Sequence, residues 1–99
     1  MPIDITEYQE VGISLLGRQI AAGQEPAIRT QQVAIGSGSA QSAVFTDVTR
    51  FVRVHADANC RIAFGPDPTA LSSSQRIPAG GTEYFGVRPG HKLAVIESP

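Results

Sequence analysis

Few residues in this chain carry reactive or metal-binding groups: His55, His91, Cys60, a scatter of carboxylates and the serine run Ser72 to Ser74. His55 and Cys60 flank the short segment DAN (57–59) and would approach each other if it turned a hairpin. A structural metal site wants four ligands in characteristic pairs, and there is no CxxC, HxH or HxxxH spacing here. Cys60 on a strand is then expected to act as a small buried hydrophobe. A nucleophile could be Cys60 or one of the serines with a histidine base, but the chain has no GxSxG elbow, and the serines lie between Pro-rich and Gly-rich stretches. Carboxylates for glycoside cleavage would come from Asp47, Asp57, Asp67, Glu83 or Glu97, which fall mostly at turns and strand ends, where acids solvate loops. The segment GSGSA (36–40) lacks the lysine and following helix that a phosphate-holding loop uses. These residues therefore predict no catalytic group, no metal and no cofactor. The chain reads as a protein that binds or assembles, not as an enzyme.

Residues suited to contact are more plentiful. Arg29, Arg50, Arg53, Arg61, Arg76 and Arg88 outnumber the lone Lys92, and arginine is favoured over lysine in protein contacts for its planar, stacking fork. Arg53 and Arg61 would sit near each other across a 54-to-62 hairpin. Near the N-terminus, Tyr8, Val11, Ile13, Leu15, Leu16 and Ile20 form an apolar set of weak periodicity, broken by glycines. Such a segment either caps its own domain or reaches a neighbouring subunit. Tyr8, Val11, Ile13, Leu15, Leu16, Ile20, Arg53 and Arg61 are the interface candidates.

The elements that must position these residues are strands. Residues 1–26 read as an extended N-terminal arm or a pair of irregular strands, and residues 27–99 as the domain proper. AIRTQQVAI (27–35) has a strand-like setting with one slip, and GSGSAQS (36–42) a loop composition. AVFTDVTRFVRVHA (43–56) is the strongest β signal, and CRIAFG (60–65) alternates behind it. GPDPTALSSSQ (65–75) reads as a flexible connecting loop, since Pro66 and Pro68 block a regular strand. Ile77, Thr82 to Val87 and LAVI (93–96) supply further strands, separated by AGG (79–81) and RPGH (88–91), both with turn chemistry. Short strands at this spacing predict an all-β fold, a small antiparallel β-sandwich of about six to eight strands. Val44, Phe45, Val52, Val54, Ile62, Phe64, Ile77, Phe85, Val87, Leu93 and Val95 are the expected core.

Composition bounds the function from the other side. Ninety-nine residues make one domain, with 41% apolar residues, 6% aromatics, no Trp and a formal net charge of −1. Charges are scattered, without the basic stripe that would bind nucleic acid or the basic amphipathic segment that would meet a membrane. A single cysteine rules out an intrachain disulfide, and a domain this small, burying about 60–65% of its unfolded surface, has reason to gain stability by association. The opening MPIDITEYQE lacks the charged and apolar regions of a signal peptide, so folding in a reducing cytosol is expected.

The stretches FVRVHADANCRIAFGPDPTA and RIPAGGTEYFGVRPGHKLAVI narrow the reading. Their succession of a strand, an AFG–PTA loop, a PAG–YFGV turn and strand and a PG–KLAVI hairpin resembles small virion proteins of tailed bacteriophages. The likeness covers roughly residues 44–97. It implies a virion structural protein, a capsid decoration (cement) or minor head protein that folds in the host cytoplasm, forms homo-oligomers and binds the major capsid protein. The alternative is a carbohydrate-binding or adhesion β-module, which would need exposed aromatics for stacking on sugar rings.

Overall fold

Alternation of apolar side chains sets the two layers of the molecule. A computed structural model of the chain describes residues 1–13, 19–23 and 25–98, with side chains for 1–10, 23 and 25–98. Within these residues there is no helix, and strands form two four-stranded antiparallel sheets and one two-stranded ribbon. Sheet I has the order β4 (Arg29–Ala34), β1 (Pro2–Tyr8), β6 (Phe51–Ala56), β9 (Thr82–Gly86). Sheet II has the order β5 (Ala40–Gln41), β10 (Lys92–Glu97), β7 (Cys60–Gly65), β8 (Gln75–Ile77). The ribbon pairs β2 (Val11–Ile13) with β3 (Gln19–Gly23).

Every second residue of the central strands faces inward. Ile3 and Ile5 on β1, Val52 and Val54 on β6, Ile62 on β7, and Leu93 and Val95 on β10 are fully buried and meet in one core. The register puts Ile5 between Gln31 and Val54 in sheet I, and Ile62 between Val95 and Gln75 in sheet II. The sandwich expected from strand spacing is therefore the fold, with eight strands in its two sheets among the described residues.

Three features differ from the sequence reading. The 54-to-62 hairpin does not form: β6 and β7 lie in opposite sheets, and residues 57–59 arch from one layer to the other. Alternation tells which side chains face inward, and Val54 and Ile62 do, but it does not tell which backbones pair. Here β1 and β9 take both edges of β6, while β10 and β8 flank β7. The strand signal over 43–56 is realised only from Phe51, because residues 43–50 are irregular. In that stretch Phe45 is buried and Val44, expected in the core, is 49% exposed. Phe64, Phe85 and Val87 pack on the core but are only partly buried.

The third difference concerns the N-terminus. Pro2–Tyr8 is extended, as the arm reading has it, yet it occupies an inner position of sheet I between β4 and β6. The domain over 27–99 is thus completed by a strand from outside its expected boundary. Ile3 and Ile5 give too short an alternation to stand out before the glycine-containing stretch that follows.

Both predicted turns are present, with Gly80 at φ 79° and Gly90 at φ 81°, the left-handed region that glycine enters without steric cost. The Pro/Ser-rich loop is not a free connector. Gln41 donates to Asp67 Oδ1 and to the Pro68 carbonyl (both 2.8 Å), Ala70 N donates to Ser39 Oγ (2.9 Å), and Arg61 donates to the Ser74 carbonyl (2.9 Å). These bonds draw the loop over the outer face of sheet II, where Ala70 and the outward-facing Ala94 are both buried.

Candidate interaction site

Sheet I keeps an outer face on which the same alternation places Asp4, Thr6 and Tyr8 on β1, Phe51, Arg53 and His55 on β6, and Thr82 and Tyr84 on β9. Three of these form an aromatic row. Tyr8 stacks on its cross-strand partner Phe51 with centroids 5.4 Å apart and planes 17° off parallel, and Phe51 lies 6.2 Å from Tyr84. The two ends of the row differ. Tyr84 is 42% exposed, whereas Tyr8 is buried. The ribbon explains the burial: Gly23 sits directly on the face of the Tyr8 ring, and a Cβ at that position would overlap the ring carbons. Tyr8 also donates its phenol to Glu25 Oε2 (2.7 Å), and Ala27 N donates to Glu25 Oε1 (3.0 Å). Burial, then the hydrogen bond and charge of Glu25, push the Tyr8 phenol up to about 12.

The interface candidates are separated by this geometry. Tyr8 fastens the ribbon to the sheet instead of presenting itself to a partner. Val11 and Ile13 lie on β2 and Ile20 on β3, while their side chains, and Leu15 and Leu16 altogether, lie outside the described residues. Arg53 stands on sheet I opposite Tyr84. Arg61 stands on sheet II and is occupied by Ser74, so the expected neighbourhood of Arg53 and Arg61 does not exist. The arch at 57–59 is the reason, since it sends the two arginines to opposite faces.

The reactive groups are dispersed in the same way. His55 faces outward on β6, whereas Cys60 begins β7 and is fully buried, with its thiol pushed up by burial and held back in smaller part by Arg76. His55 Nδ1 and Thr82 Oγ1 are 2.7 Å apart, and His55 Nε2 is 3.6 Å from Asp57 Oδ1. This hydroxyl, imidazole and carboxylate lie together on the outer face of sheet I, each partly exposed to solvent. Among the described residues no group of three or more His, Cys, Asp or Glu side chains could hold a metal ion. No helix of the described residues is long and apolar enough to cross a membrane.

The strongest polar cluster escapes a search for reactive residues. Glu7 continues the inward phase of Ile3 and Ile5 and is fully buried. Its Oε1 accepts from Thr46 N (3.0 Å) and Thr49 Oγ1 (2.8 Å), and its Oε2 from Arg29 Nε (2.6 Å) and Gln31 Nε2 (3.2 Å). Arg29 donates onward to the Val44 carbonyl (2.6 Å). The carboxylate thus ties irregular residues 43–50 to β1 and β4, a structural task. Its signal in the sequence is a charged residue in the apolar phase of a strand.

The described surface comprises an aromatic and arginine-bearing face of sheet I, a ribbon clamped to one end of it, and open strand edges. Comparison with known proteins finds no family model, no curated protein and no solved structure that matches the chain.

Proposed function

We propose that this chain is a virion structural protein of the capsid decoration (cement) or minor head type, binding neighbouring capsid subunits and stabilising them. The observation that carries the reading is the ribbon of β2 and β3. It belongs to neither sandwich sheet, yet Gly23, Tyr8 and Glu25 hold it to the outer face of sheet I. A two-sheet lobe with a clamped appendage, in a molecule 45 × 26 × 20 Å in extent, suits a protein that touches two neighbours at once. The resemblance of residues 44–97 to small tailed-phage proteins gives the partner, and that region builds five strands of the sandwich, β6 to β10.

The test begins with the genes beside this one, among which a major capsid gene is expected. Purified chain is then sedimented with mature capsids assembled from that capsid protein. Saturable binding at a fixed copy number, with a raised capsid melting temperature, is the expected outcome. A chain that stays in the supernatant at tens of micromolar overturns the reading. The carbohydrate-binding or adhesion alternative draws on one observation, the exposed Tyr84 with Phe51 behind it. Binding on a glycan array that Tyr84→Ala abolishes would favour it over the capsid.

A further inference from the structure

The open strand edge at β9 is the feature that neither the sandwich nor the clamped ribbon uses. In an antiparallel ladder alternate residues spend both backbone groups on the neighbouring strand and the others direct theirs away. Val87 N donates to Arg50 O (2.9 Å) and Ala56 N donates to Gly81 O (3.0 Å), which brackets the β6–β9 ladder. In that phase Glu83 and Phe85 bond to β6, and Thr82, Tyr84 and Gly86 point their N–H and C=O groups outward. Among the described residues none of these outward groups has a backbone partner. Unpaired groups at this spacing are a template for one kind of occupant, an extended chain.

The seam beside this edge is apolar and incompletely closed. Beneath β9, Phe85 packs against Phe64 at 5.1 Å, and both are only partly buried. Strand β8 would cover them but pairs with β7 only from Cys60 to Ile62, leaving Phe64 beyond its end. The opposite side of the sandwich is finished differently. There β4 also turns backbone groups outward, but Gln31 and Arg29 close the seam by bonding to Ala43 and Val44.

The geometry points to a second copy of this chain as the occupant, its β9 pairing antiparallel with β9 about a two-fold axis at Tyr84. That register sets Thr82 against the partner copy's Gly86 and Tyr84 against its own equivalent, using every outward group for about six main-chain bonds. It also sets Glu83 against Phe85 of the other copy. A register shifted to bring Glu83 against itself would lose one pair and oppose like charges. The aromatic row Tyr8–Phe51–Tyr84 then runs continuously through both molecules, and the two Phe85 seams cover each other. A two-fold contact of this kind closes at two copies, whereas β4-to-β9 pairing would grow without end. The contact goes beyond the capsid reading and needs no capsid.

The experiment is sedimentation equilibrium on the full chain up to several hundred micromolar, because a five-residue edge belongs to the weak class of interfaces. The expected mass is twice that of the monomer, falling to the monomer mass in Tyr84→Pro. That proline removes an outward N–H and the ring resting on Phe51 but no bond to β6, so the internal ladder persists and the far-ultraviolet circular dichroism is unchanged. Tyr84→Ala, which loses the ring and keeps the N–H, separates the two losses. Should Tyr84→Pro fail to fold, amide exchange on the unaltered chain decides. Thr82, Tyr84 and Gly86 amides are expected to slow at least tenfold between low and high concentration, with Glu83 and Phe85 slow throughout. A monomer at every concentration, a mass rising past the dimer, or concentration-independent exchange at these three amides overturns the proposal.

Discussion

Glu7 shows what a single buried side chain decides in this molecule. Its donors are Arg29, Gln31, Thr46 and Thr49, so removing the carboxylate strips the irregular segment 43–50 of its anchor. Glu7→Ala is expected to cost about 2–4 kcal/mol, with Arg29 moderating the loss because its side chain, 37% exposed, can rehydrate. The urea midpoint measures this, and a shift worth less than about 0.5 kcal/mol contradicts the anchoring role. Phase made Glu7 legible as an inward residue, but its partners lie too far along the chain for spacing to name them. Tyr8 gives a pH dependence of known sign. Its folded phenol titrates at about 12 against an ordinary 10.0, so the fold favours the neutral form. The stability this confers is complete below pH 10 and is lost as pH rises from about 10 to 12, roughly 3 kcal/mol in all. Spectrophotometric titration of Tyr84→Phe, which leaves Tyr8 as the lone tyrosine, reads the shift directly. Cys60, with no exposed surface and a raised thiol, is expected to react with a disulfide reagent at the rate of unfolding, not of encounter. Rapid labelling of the native chain would contradict its burial.

Strands were legible one by one, but their pairing was not. Phe51–Ala56 and Cys60–Gly65 read correctly as alternating strands, as did the turns at Gly80 and Gly90. Alternation constrains facing alone, so an arch between sheets and a hairpin within one leave the same pattern, and the arch carried Arg61 away from Arg53. The Pro/Ser loop is a similar case: composition excludes a strand there, while its bonds to Gln41, Ser39 and Arg61 depend on the folded sheet. The ribbon has a sharper test, because its contact with Tyr8 requires the missing side chain of Gly23. Gly23→Ala forces ring and backbone apart, which at a well-packed contact costs about 1–3 kcal/mol. With the ribbon displaced, Tyr8 regains water and its phenol should return toward the ordinary value of 10.0. A phenol still titrating near 12 in Gly23→Ala would show that the ribbon is not what buries it.

At the scale of the molecule, the two-layer architecture followed from strand length and turn spacing, and the role of the first residues did not. A strand of seven residues carrying only Ile3 and Ile5 as apolar inward residues looks dispensable in isolation. Its value comes from position: β1 has β4 on one edge and β6 on the other, so its removal opens sheet I down the middle. Both neighbours would then lose a full ladder, and Val33 and Val54 the cover of fully buried isoleucines. The loss exceeds what a domain of this size can absorb, since net stabilities are only about 5–15 kcal/mol. A fragment of residues 9–99 is therefore expected to show no cooperative melt, although it keeps every other strand. A synthetic peptide of residues 1–10 added in excess should restore the melt, because the gap between β4 and β6 presents two rows of unpaired backbone groups and a slot for Ile3 and Ile5. Calorimetry with and without the peptide measures both halves of the claim. If the fragment melts cooperatively alone, the N-terminus is an arm laid on a finished sandwich, and any partner it reaches would be bound by a segment the fold can spare. If it melts only with the peptide, the N-terminal strand belongs to the core. Contact with neighbours must then be sought on the ribbon, the exposed face around Tyr84 and the β9 edge.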